Sequence, residues 1–131
     1  MAGNDQSPRK SIRLLLIDDE EDFVNVLSNR LARRGIDVTK AFSGSQAIQV
    51  LRDSDFDVAV LDLKMEDMDG TEVLKIFKKM VPEMEVIMLT GHGSEKAAAD
   101  GIRSGAFDYL MKPCALEDLL AKIDEAVRKR K

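Results

Sequence analysis

Residues 14–22 read LLLIDDEED, four branched apolar residues running directly into five consecutive carboxylates. An uninterrupted aliphatic run of this length suits a strand buried on both faces of a parallel sheet. Five adjacent like charges repel, so the acids should destabilise the free protein unless positive charge normally sits against them. What surrounds this stretch therefore decides both the architecture and the chemistry.

Outward from it, short apolar runs alternate with segments whose apolar residues recur at helical spacing, the pattern of repeated strand-helix units. The strand candidates are IRLLLI (12–17), IDVTKA (36–41), DVAVLDL (57–63), EVIMLT (85–90) and AFDYLMK (106–112). The first helix is expected to bury Phe23, Val26, Leu27 and Leu31 and to stop at Gly35; the third carries Val73, Leu74, Phe77 and Met80 and ends before Pro82. The last carries Leu116, Leu119, Leu120, Ile123 and Val127, with acids at its start and RKRK at its end to match the helix dipole. The fourth, SEKAAADGIRSG, is the weakest: it offers Ala97, Ala98, Ala99 and Ile102 and carries Gly101 inside, at a cost of about 1 kcal/mol relative to alanine.

Strands one, three and four are nearly continuous apolar runs, whereas two and five interleave Asp37, Lys40 and Asp108. Continuous runs belong at the centre of a parallel sheet and alternating ones at its edges. With right-handed crossovers this favours a flavodoxin-like, doubly wound (βα)5 fold of order 2-1-3-4-5, whose switch point lies between strands one and three.

The chain has 131 residues, enough for one domain with a real core, expected over 11–131 after a polar, disordered leader at 1–10. Its 20 basic and 24 acidic residues leave a net charge of -4, which does not suit direct nucleic-acid binding. Cys114 is the sole cysteine, so no disulfide framework exists. No apolar run approaches a membrane span, and a cytoplasmic location is expected.

The expected strand ends place Asp18 and Asp19 after strand one, Asp62 at the end of strand three, Thr90 after strand four and Lys112 after strand five. Singly, each has a plain structural reading: acids in a first helical turn, a loop cap, a helix start, a solvated edge charge. Together, three carboxylates from the strands flanking the switch point form a ready site for a hard divalent cation such as magnesium.

LLIDDEED, DVAVLDLKMEDMDG, VIMLTGHGS and GAFDYLMKP together resemble the receiver domain of bacterial two-component response regulators, over residues 12 to about 127. The resemblance implies that Asp62 is the phosphoacceptor, that Asp18, Asp19, Asp62 and the Lys64 backbone carbonyl hold magnesium, and that Thr90 and Tyr109 form a switch pair. It implies further that Lys112 contacts the phosphoryl group and that Pro113 makes a cis turn aiming that lysine inward. Lys64 and His92 stand two residues after Asp62 and Thr90, at positions that in the family influence phosphoryl loss, and the alternative reading for His92 is an exposed loop residue without a role. The implied partners are a sensor histidine kinase or phosphotransfer protein and an unidentified output protein or domain, with a phosphorylation-dependent dimer as a further form. The runner-up is a receiver-like interaction module that is never phosphorylated.

The family commonly has proline four residues after the acceptor, where this chain has Glu66. EDMDG fails as a calcium loop, since the EF-hand register would need Met65 and Ile76 as ligands. An aspartate-nucleophile phosphohydrolase wants a second aspartate where Lys64 stands, and a flavin site would find no tryptophan and only Tyr109 as tyrosine to stack on the ring, with acids facing the phosphate.

Overall fold

The computed structural model describes residues 11–91 and 95–130, so the expected leader at 1–10 and His92 lie outside the described residues. Five strands alternate with five helices: β1 (Arg13–Ile17), α1 (Glu21–Arg33), β2 (Asp37–Ala41), α2 (Gly44–Asp53), β3 (Val58–Asp62), α3 (Gly70–Met80), β4 (Glu85–Thr90), α4 (Glu95–Arg103), β5 (Asp108–Met111) and α5 (Leu116–Arg130). The pairings between these strands are all parallel, and the order is β2-β1-β3-β4-β5, the flavodoxin-like arrangement expected from the two polar edge strands. The fifth strand is shorter than the expected 106–112. Its flanks stay attached, because the Phe107 N–H donates to the Val86 carbonyl at 2.8 Å and the Lys112 N–H to the Thr90 carbonyl at 2.7 Å.

The aliphatic run of β1 divides between the two faces with the period of a strand. Leu15 and Ile17 join Ala59 and Leu61 of β3 beneath α2, α3 and α4, while Leu14 and Leu16 join Val58 and Val60 against α1 and α5. These four aliphatic residues of β1 are fully buried, each stabilising the fold by roughly 1.5–3 kcal/mol relative to exposure. A strand covered on both faces cannot alternate polar with apolar residues, which is why LLLI is continuous.

Two helix faces differ from expectation. In α1 the buried stripe is Val24, Leu27, Ser28 and Leu31, and Val26 is 57% exposed. Val26 lies about 200° around the helix from Val24, so a helix seated on Val24 turns Val26 outward. In α4 only Ala98 and Gly101 are buried, whereas Ala99 and Ile102 face solvent. Gly101 also has a packing role: a Cβ there would stand 2.2 Å from Cε of the buried Met88, so glycine lets α4 lie close over β4.

The least forgiving approach is at Gly70, the first residue of α3, where the neighbour is backbone and not the flexible end of a side chain. A Cβ there would stand 2.6 Å from the Asp62 carbonyl oxygen and 2.6 Å from the Leu63 Cα, both rigid backbone. Gly70→Ala is expected to lower stability by about 1–3 kcal/mol through overpacking, read as a drop in the urea midpoint. Gly91→Ala, where a Cβ meets nothing within 4 Å, should shift it by less than about 0.5 kcal/mol.

Candidate functional site

Register brings the site together. Ile17 of β1 pairs with Leu61 of β3, so Asp18 and Asp62 emerge side by side at the same end of the sheet. Asp62 pairs with Leu89 and Thr90 with Met111, which carries the row across β4 to the end of β5, where Lys112 follows. These are the carboxyl ends of the strands, at the switch point between β1 and β3.

Asp18 is fully buried and well partnered. Its Oδ1 accepts from the Glu20 N–H at 3.0 Å and its Oδ2 from the Lys112 ammonium at 2.7 Å. Asp19 is half-buried, and its Oδ2 accepts from the Glu66 N–H at 3.1 Å. A proline at position 66 could not make that bond, so the departure from the family pattern is used here to tie the loop after β3 to β1. Asp62 is 6% exposed, with the Lys112 ammonium 3.6 Å from its Oδ1. Asp18, Asp19 and Asp62 each present an oxygen, all within 4.8 Å of one another.

The electrostatics follow from this crowding. Burial, then repulsion from Asp18, push the Asp62 carboxyl up to about 7, against the pull of Lys112 and of the Lys64 backbone N–H. Burial opposes charge on Lys112 too, but the Asp18 hydrogen bond and the attraction of both aspartates outweigh it and raise the ammonium's pKa. One cation thus faces three carboxylates, and the acid-rich oxygen donor set fits a hard divalent ion of the magnesium kind.

Thr90 is fully buried at the end of β4, and its hydroxyl donates to the Met111 sulfur at 3.0 Å. Tyr109 is half-buried on β5 and packs against the α3–α4 side of the core, the face shared by Met88 and Thr90. The Lys112–Pro113 peptide is cis, as expected. The Lys64 side chain is exposed, and its backbone forms an isolated antiparallel bridge with Asp69.

Three contacts were not foreseen. Asp67, dismissed with the failed calcium loop, accepts from the Gly44 and Ser45 N–H groups and the Ser45 hydroxyl, each at 3.0 Å, and so caps α2 from across the fold. Those bonds, led by the two backbone donors, hold its carboxyl below the usual range. Glu20 and Phe23, read as helix start and helix face, both meet Lys112: Glu20 Oε1 at 3.4 Å and the Phe23 ring centroid at 4.4 Å. All three pairings are distant in sequence, and no local spacing announces them. No described helix is long and apolar enough to cross a membrane.

The chain matches the response regulator receiver domain family over residues 14–124. It is 36% identical over 118 residues to the transcriptional regulatory protein GlrR of Escherichia coli strain K12, an alignment covering 90% of this chain and 27% of GlrR. It is 33% identical over 117 residues to the transcriptional regulatory protein ZraR of the same strain, covering 89% of this chain and 26% of ZraR. The chain thus spans about a quarter of the length of these relatives. Among solved structures, a response regulator receiver domain protein from Clostridium thermocellum superposes with a TM-score of 0.88 at 33% identity, covering 91% of this chain and 96% of that one. The family match begins at the second residue of β1 and runs through every strand into α5, and the chain therefore belongs to the response regulator receiver domain family.

Proposed function

We propose that Asp62 accepts a phosphoryl group from the phosphohistidine of a sensor kinase or phosphotransfer protein, or from a small phosphodonor. A carboxylate oxygen of Asp62 forms the new P–O bond as the donor's bond to phosphorus breaks, and the donor leaves with the electron pair. The observation that carries this reading is the Lys112 ammonium between Asp18 and Asp62, at 2.7 Å and 3.6 Å, beside a third carboxylate. Such a transfer needs positioning and charge neutralisation more than covalent help. Asp18, Asp19, Asp62 and the Lys64 carbonyl would hold magnesium, which when bound supplies positive charge to the phosphoryl oxygens. Lys112 supplies the rest, and by the family resemblance Lys64 and His92 are the residues that govern how fast the phosphoryl group is lost.

The module is a signalling switch, and the only reactions it catalyses are its own phosphorylation and dephosphorylation. Thr90 leaves its weak sulfur acceptor for a phosphoryl oxygen, Tyr109 follows into the vacated space, and the surface of α4, β5 and α5 changes shape. The thin anchoring of α4 through Ala98 and Gly101 makes that face responsive. GlrR and ZraR are transcriptional regulators by name, and by that likeness the output of this receiver is transcriptional, in the cytoplasm, through a segment other than this domain.

Incubation with acetyl phosphate and magnesium should add one phosphoryl mass to the wild type and none to Asp62→Asn, as read by intact mass. A wild type that never gains that mass would instead favour an unphosphorylated interaction module. Replacing Lys64 or His92 with alanine is expected to change the rate of phosphoryl loss more than the rate of gain; equal effects on both rates would refute that role.

A pH dependence follows from the raised Asp62 pKa. Between about pH 4 and about pH 7 the metal-free folded protein keeps a proton on Asp62 that the unfolded chain has lost. Its contribution to stability is therefore greatest below about pH 4 and declines as pH rises to about 7. In EDTA, the advantage of Asp62→Asn over wild type in urea midpoint should grow across that window and flatten above it. Saturating magnesium should shrink the difference by stabilising the ionised wild type.

A further inference from the structure

We propose that Phe23 is a positioning residue for Lys112, holding the ammonium within reach of both its resting partner Asp18 and the phosphoryl group on Asp62. The inference rests on the reading of Asp62 as acceptor. The ammonium lies 4.4 Å from the Phe23 ring centroid, within cation–π range, and the lysine side chain is only 18% exposed. Its other partners are carboxylates: Asp18 at 2.7 Å, the exposed Glu20 at 3.4 Å and Asp62 at 3.6 Å. Phe23 is itself held, since it packs against the core cluster that includes Val24 and Leu27.

The four-carbon lysine stem is flexible, and a carboxylate partner fixes the ammonium through directional hydrogen bonds. At rest the closest contact is with Asp18, whereas charge on a phosphoryl group would build up beside Asp62. To serve it the ammonium must loosen its grip on Asp18 and shift across the site. An aromatic face attracts a cation without a fixed direction and takes no hydrogen bond from it. The Phe23 ring therefore stays favourable along the whole shift and closes the α1 side of the site to the water that would otherwise draw the ammonium outward. Glu20 cannot do this, because it is exposed and would pull the lysine towards solvent.

The test measures phosphorylation rates with acetyl phosphate and phosphoramidate at saturating magnesium, since donors this small require no docking surface on α1. Phe23→Leu keeps the site apolar but removes the π face, and is expected to slow phosphorylation about three- to tenfold. Phe23→Tyr should restore the rate, and Phe23→Leu should have no further effect in a Lys112→Ala background. Should Phe23→Leu fail to fold, Phe23→Met carries the same expectation. A wild-type rate in Phe23→Leu, or an equal slowing with and without Lys112, would overturn the inference while leaving Asp62 as acceptor. A wild type that takes up no phosphoryl group, or takes it on another residue, would overturn both.

Discussion

One ammonium against three carboxylates is the interaction on which this end of the molecule depends. Lys112 arrives from beyond the edge strand β5 and bonds Asp18 at 2.7 Å, beyond β1 on the far side of β3 and β4. It neutralises one acid well and leaves Asp62, 3.6 Å away, with a carboxyl pushed up to about 7. The shortage of positive charge is structural, because the parallel register allows no other placement of Asp18 and Asp62 than side by side. A cation or a changed protonation state must therefore accompany every state of the site.

The loop after β3 is held by backbone-directed bonds instead of by a stiff residue. Asp19 takes the Glu66 N–H, Asp67 takes the first N–H groups of α2, and Asp69 accepts from the Thr71 N–H to cap α3. Gly70 then brings α3 against the Asp62 carbonyl at a distance no side chain permits. Each anchor positions the segment that follows Asp62, so the geometry at Asp62 and helix packing are coupled through one short stretch. The opposite behaviour appears at α4, which meets the sheet through Ala98 and Gly101 alone among its buried residues.

The aliphatic continuity of LLLI and of β3 and β4 determined a parallel sheet covered on both faces, and the polar interruptions of β2 and β5 determined its edges. With right-handed crossovers these led to the observed order, and the order led to Asp18, Asp19, Asp62, Thr90 and Lys112 at a single end. All of this is local: side-chain period and strand ends are written in neighbouring residues. Tertiary structure alone decided which helix face turns inward at Val26, that Gly101 clears Met88, that Asp67 caps a helix more than twenty residues before it, and that Phe23 and Glu20 share Lys112 with the acids. Those outcomes depend on how far one element stands from another and at what angle, and no periodicity within a single element encodes that distance.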